Sequence, residues 1–273
     1  MARNFRFGVG IRSVRSRADL QETARRYEGF GFDVINIPDH LGAPAPFPVL
    51  AAVAQATTTL RVGTYVVNAA FYSPALLARD AAEVDALSDG RLDLGLGAGY
   101  AREEFEAAEI PFPGAGARVA HLEHVTRYLR EHHGTIPILI AGNGNRVLTV
   151  AAQLADIVGL TGGEPGKGID DPLAERVEFV REAAGARFDA LTLDLAITAS
   201  PTDNSGVPDL SMTRRFVPNL SDEELMTLPG VLAGAPRDIA DRLTWLRDAY
   251  GITSLSIQDK YAEYFAKVIA ALG

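Results

Sequence analysis

The 273-residue chain contains no cysteine. That absence removes disulfide staples, thiolate metal sites and cysteine nucleophiles together. Basic residues are also scarce, 26 Lys and Arg against 35 Asp and Glu for a net charge of −9, which argues against a phosphate-tracking DNA or RNA surface. Apolar runs are broken by charge or glycine well short of a membrane span, and no signal-like apolar stretch follows the Met1-Ala2-Arg3 start. The expectation is a cytoplasmic protein with neither a nucleic-acid nor a membrane partner. Missing, too, are a His-Glu-x-x-His pattern, a Walker sequence and a Gly-x-Ser-x-Gly elbow, so no metal site, phosphoryl transfer or serine hydrolysis is expected. What is present is a 47% hydrophobic composition, enough for a substantial core.

Short β-rich runs fall at Phe7–Ile11, Val34–Pro38, Leu60–Val67, Leu92–Gly97, Ile136–Ala141, Ile157–Leu160, Leu193–Thr198 and Ser254–Ile257. Helix-period stretches lie between and after them, at 20–30, 48–57, 75–87, 119–131, 147–154, 173–184, 239–250 and 262–272. Strict alternation requires parallel strands with helical crossovers, and eight such units predict a single α/β domain over residues 1–273, a closed (β/α)8 TIM barrel. An open doubly wound sheet is the competing arrangement. Asp19 and Ser73-Pro74 read as helix starts, and Gly31, Gly90 and Gly251 as helix ends. Two stretches near 163–172 and 200–222, rich in Gly, Pro, Asp, Asn and Ser, read as irregular rim loops and candidate lids.

In a barrel the chemistry belongs where strands end. There the chain places Asp39-His40, then Tyr65-Val66-Val67-Asn68, Gly97-Ala98-Gly99-Tyr100, Gly142-Asn143-Gly144-Asn145-Arg146 and Thr161-Gly162-Gly163. The Gly142–Arg146 turn, between strand and helix, is either a phosphate cradle or a plain connector. Its glycines allow close approach, and the free N–H groups of the next helix point over the strand end. His40 is the first candidate for a proton-handling group. Asp39 fits a capping role as well as a ligand-binding one. His121, His124, His132 and His133 suit surface or helix-end positions better than catalysis.

The run Gly31-Phe32-Asp33, Pro38-Asp39-His40, Leu60-Arg61-Val62-Gly63-Thr64, Ser73–Arg79, Leu87-Ser88-Asp89-Gly90-Arg91 and Leu94–Tyr100 resembles the bacterial luciferase-like flavin and deazaflavin enzymes. Glu103-Glu104-Phe105, Ile110-Pro111-Phe112, Asn145–Leu148 and Ala155–Gly159 continue the likeness, which is greatest to the branch using coenzyme F420. The resemblance implies an oxidoreductase that moves a hydride between F420 and a small organic substrate. FMN with oxygen, in a monooxygenase, is the alternative, and a non-catalytic barrel subunit is the third reading. It also implies a cis non-proline peptide at Tyr65–Val66 and a cofactor phosphate at Gly142, Asn143, Gly144, Asn145 and Arg146. Asp39, His40, Asn68, Gly97, Ala98 and Gly99 would line the ring and tail, with Thr161 and Gly162 completing the set. His40 or Tyr100 would handle the proton, and a homodimer is implied, with helices near 48–57 and 75–87 as its face. Two departures stand out: the short His132-His133-Gly134-Thr135 connection, and Pro44 and Tyr100 where sugar-phosphate dehydrogenases of the family carry Trp and Glu. Glucose 6-phosphate is therefore not the expected substrate.

Overall fold

The computed structural model describes residues 5–162 and 170–273. Among them, nine parallel strands form one sheet: β1 (Arg6–Gly10), β2 (Val34–Ile37), β3 (Arg61–Thr64), β4 (Val67–Asn68), β5 (Leu92–Gly97), β6 (Ile138–Ala141), β7 (Ile157–Leu160), β8 (Thr192–Ala196) and β9 (Ile252–Gln258). Its order is β3-β2-β1-β9-β8-β7-β6-β5-β4, and pairing of β3 with β5 closes the circle. β3 and β4 occupy one strand position, both lying against β5 and separated by the cis Tyr65–Val66 peptide. Where the ladder is interrupted, the Thr64 hydroxyl donates to the Gly95 carbonyl at 2.7 Å and accepts the Gly95 N–H at 2.8 Å. The result is the closed (β/α)8 barrel, not the open sheet.

The helices are α1 (Arg17–Gly29), α2 (Pro46–Ala54), α3 (Pro74–Leu87), α4 (Arg102–Ala107), α5 (Ala115–His132), α6 (Asn145–Leu154), α7 (Pro172–Ala184), α8 (Ser211–Phe216), α9 (Asp222–Met226), α10 (Pro236–Tyr250) and α11 (Ala262–Leu272). Strands β2, β5 and β7 are buried along their whole length because helices cover the outside and side chains fill the inside. Asp19 is not the N-cap of α1. That place belongs to Ser16, whose hydroxyl accepts the Asp19 N–H at 3.2 Å, leaving the Asp19 charge in the first turn, where the helix dipole favours it.

The end of the barrel away from the strand tips is tied by charge. Glu28 Oε1 accepts N–H groups from Thr58, Thr59 and Leu60 at 3.0, 2.7 and 2.9 Å. Those bonds outweigh desolvation and hold its carboxyl down to about 2. Arg6 and Arg61 both meet Asp93. The Leu87–Arg91 motif is structural: Asp89 and Gly90 turn through positive φ, and Arg91 donates to the carbonyls of Ser88, Leu60 and Ala54 at 2.6, 2.8 and 2.9 Å.

The stretch 200–222 is not wholly irregular, since it contains α8 and leads into α9. A six-residue helix leaves almost no periodic signature and depends on tertiary support. Here Lys260 Nζ donates to Asp209 Oδ2 at 2.7 Å, and the Tyr261 hydroxyl donates to the Asp209 carbonyl at 3.0 Å. Of the other expected rim loop, residues 163–169 lie outside the described residues, and α7 begins at Pro172.

Candidate active site

At the strand tips the barrel opens into a cavity of about 1220 Å³. Asp39 and His40 reach it after β2, Tyr65 and Val66 from the break between β3 and β4, and Asn68 from the end of β4. Gly97, Ala98, Gly99 and Tyr100 enter at the end of β5, Gly142 to Arg146 between β6 and α6, and Thr161 and Gly162 after β7. The fold thus gathers around one space the residues singled out from the sequence, except Val67, which does not line it, and Gly163, which lies outside the described residues. The far wall comes from the 200–222 segment and beyond, with Met212, Phe216, Leu220 and Leu228 facing in.

One partner escaped sequence reasoning. The short helix α4 is anchored by fully buried Phe105, whose ring packs edge-on against Phe71 and Phe112 with centroids at 5.2 and 4.9 Å. This fixes Glu104 with Oε1 2.7 Å from His40 Nδ1. The two side chains are only 17% and 30% exposed, so the pair is partly shielded from water. An ionised Glu104 accepts the Nδ1 proton, which leaves Nε2 as the ring nitrogen available for exchange. The Tyr100 ring stands edge-on to His40 at 6.1 Å, and the residue as a whole is 70% exposed. Desolvation and then the Glu104 charge raise its phenol, so it stays protonated at neutral pH. The only hint in the sequence was Glu103-Glu104-Phe105, because a contact across 64 positions has no local signature.

Asp39 is a bridge, not a helix cap: its Oδ2 accepts the Asn68 N–H at 3.1 Å, joining the ends of β2 and β4. Burial raises its carboxyl, while that bond and His40 oppose the rise. Asn68 Oδ1 in turn accepts the Ala70 N–H at 3.1 Å. His121 lies behind this turn, with Nε2 at 3.1 and 3.0 Å from the Ala69 and Tyr72 carbonyls, so it buttresses the site without lining it. Among the described residues, no group of three or more His, Asp or Glu could hold a metal ion.

The glycines of the rim serve different ends. A Cβ at Gly97 would strike Val66, and one at Gly99, whose φ is +73°, would strike the Asn68 amide; both are small because of the protein beneath them. Gly144 differs: it is the N-cap of α6, no side chain caps the helix, and a Cβ there would meet nothing within 4 Å. The first-turn N–H groups of Asn145, Arg146 and Val147 therefore lack helical partners, as an anion site requires. The turn is braced from behind by Arg176, which donates to the Asn143 carbonyl at 3.3 Å and to Asn145 Oδ1 at 2.6 Å, and by a Thr161–Asn143 hydrogen bond. Beside it, the Arg146 guanidinium lies against Gly116 in the first turn of α5. Two helix starts and a cation thus meet at one end of the cavity, an arrangement that fits a phosphate-bearing ligand.

The cavity floor is polar underneath. The Tyr65 hydroxyl donates to Asp194 Oδ2 at 3.0 Å, the Ser254 hydroxyl to Oδ1 at 2.7 Å, and the Ser256 hydroxyl lies at 3.1 and 3.2 Å from the two oxygens. Nothing in the sequence set Asp194 apart from the strand around it.

The luciferase-like monooxygenase family model matches residues 4–207. The chain belongs to that family. Membership makes it an enzyme. An F420-dependent glucose-6-phosphate dehydrogenase of Amycolatopsis mediterranei is 28% identical over 240 residues, covering 76% of this chain and 72% of the relative. A 5,10-methylenetetrahydromethanopterin reductase of Archaeoglobus fulgidus is 28% identical over 180 residues, 59% of this chain and 54% of the relative, so the match spans about half of that protein. The solved coenzyme F420-dependent tetrahydromethanopterin reductase of Methanopyrus kandleri superposes with a TM-score of 0.75 over 98% of this chain and 97% of its own, at 17% identity. At that identity the likeness is one of fold.

Proposed function

We propose that this luciferase-like enzyme moves a hydride between coenzyme F420 and a small organic substrate. The observation that carries the reading is the meeting, in one cavity, of the His40–Glu104 pair with the uncapped start of α6. The N–H groups of Asn145 and Arg146 would hold the cofactor phosphate, with Gly142, Asn143 and Gly144 giving it room. Asp39, Asn68, Tyr65, Val66, Gly97, Ala98 and Gly99 would line the ring, and Thr161 and Gly162 its far edge. When bound, the deazaflavin supplies the hydride chemistry. The chain's own part is to position the ring, exclude water with the apolar wall of Met212, Phe216 and Leu220, and move a proton. His40 Nε2 exchanges that proton while Glu104 holds Nδ1, and the Tyr100 hydroxyl stands nearby as a second proton donor. The F420-dependent name of the Amycolatopsis mediterranei relative supports the choice of ring.

An FMN-dependent monooxygenase is the second reading, favoured by the family model's own description, and the same turn would hold the FMN phosphate. The third reading, a non-catalytic subunit, is set aside, since the chain belongs to a family of enzymes and that reading leaves the shielded His40–Glu104 pair without a task. Titrating the purified protein with F420 and with FMN, followed by fluorescence quenching, decides between them. Quenching by F420 supports the proposal, and tight FMN binding without F420 binding overturns it. A homodimer is proposed as well, with α3 as part of its face, since Leu76 and Leu87 there are 51% and 49% exposed. A monomeric mass in analytical ultracentrifugation would count against it. No helix among the described residues is long and apolar enough to cross a membrane.

A further inference from the structure

We propose that the Asp194 carboxylate is a fixed negative charge beneath the cavity floor that disfavours anionic forms of a bound deazaflavin or flavin ring. The inference rests on the cofactor reading above. Asp194 is 1% exposed and lies on β8, opposite Ser254 of β9, where the register between the two strands shifts. Tyr65 and Ser256 both line the cavity, yet their hydroxyls turn down to the carboxylate. The Tyr65 and Ser256 side chains thus stand between the charge and the cavity.

Three hydroxyl groups converge on the carboxylate, a geometry that fits an acceptor. The hydroxyls of Tyr65, Ser254 and Ser256 can all donate to the two oxygens, and an ionised carboxylate is the species that only accepts. Burial raises the carboxyl on balance, and those hydroxyls and the Arg6 guanidinium oppose the rise. Arg6 compensates only in part, because it is shared with Asp93 at the opposite end of the barrel. Tyr65 and Arg6 are the titratable groups that act on Asp194; Tyr65 is held neutral, its phenol raised well above its ordinary value by burial and then by Asp194 itself. Burying a charge costs several kcal/mol that an apolar or amide residue would not, so stability alone gives no reason for a carboxylate here. In a low-dielectric interior its field reaches across the floor to whatever ring lies above. Both candidate rings carry an acidic proton, a ring hydroxyl in F420 and a ring N–H in FMN, and a negative charge below opposes loss of either.

The test is an absorbance pH titration of protein-bound F420, repeated with FMN, in wild type and D194N. Removing the charge is expected to make the bound ring at least threefold more acidic. D194S repeats the neutralisation should D194N fail to fold, and S254A, which keeps the charge and removes one donor, is expected to shift the titration less than threefold. A purely structural carboxylate would lower thermal stability on substitution and leave the ring titration unmoved, which overturns the proposal. If wild type binds neither cofactor, the proposed function fails and this assignment with it; binding with an unaltered titration in both neutral variants refutes the charge alone.

Discussion

Replacing Gly144 with Asp separates the two properties of the glycine turn, because stability and cofactor affinity should move in opposite directions. The backbone at Gly144 has φ −73° and ψ 141°, open to any residue, and a Cβ meets nothing within 4 Å, so the substitution introduces no clash. An Asp at this N-cap accepts first-turn N–H groups and stabilises α6 by a few tenths of a kcal/mol relative to Gly, raising the melting temperature by about 1 °C. The same change occupies the donors a phosphate would use, a loss of about 1–2 kcal/mol. It also sets a carboxylate roughly 5 Å from the phosphate, which at an effective dielectric of about 40 adds ~1.7 kcal/mol of repulsion per pair of unit charges. Together these come to about 3 kcal/mol, or a Kd raised by about 100-fold. Fluorescence titration with F420 and FMN measures the loss, and riboflavin, which lacks the phosphate, serves as the ligand that should bind both proteins alike. G144S, a cap without charge, should lose about tenfold. Unchanged affinity of G144D for the phosphorylated cofactors, with α6 intact by circular dichroism, would refute the phosphate cradle.

Three further expectations follow from particular contacts. E104A removes a 2.7 Å partner of partly shielded His40 and should lower kcat/KM by about 10- to 100-fold, with F420 affinity unchanged within twofold; equal losses in cofactor binding would show that Glu104 shapes the pocket and does not orient the imidazole. Glu28 is held at about 2 against an ordinary 4.5, so its stabilisation is complete above pH 4.5 and is lost as pH falls through 2. Water screening at this half-buried group reduces its worth to about 1.5 kcal/mol, so E28Q should unfold at lower urea at pH 7, with the gap from wild type closing toward pH 2; a gap independent of pH contradicts this. G99A combines a positive φ with a collision against the Asn68 amide and should cost about 2 kcal/mol or more in urea unfolding, whereas a stability equal to wild type would mean the β4 turn can give way.

Much of the fold could be read in one dimension because its signals are local. β7 begins and ends where its apolar run does, and α11 where its period does. The same holds for Gly31, Gly90 and Gly251, which turn through φ of 83°, 78° and 74° after α1, α3 and α10. The errors share a cause. From the sequence Asp19 reads as the cap of α1, because an acidic residue near a helix start looks alike at either position, and only the path of the chain gives Ser16 the hydrogen bond. The helix α8 was hidden because six residues held by Lys260 and Tyr261, some fifty positions later, carry no period of their own.

The candidate site divides along the same line. By itself, the sequence determined the barrel, the rim residues Asp39, His40, Gly97, Gly99 and Gly142–Arg146, and the family to which they belong, since strand ends and glycine turns are written in consecutive residues. Tertiary structure alone decided that Glu104 takes the Nδ1 proton of His40, that Gly97 and Gly99 are small to accommodate Val66 and Asn68, and that Asp194 lies under Tyr65. Each is a contact between residues 31 to 129 positions apart, and closing the barrel brings those groups together.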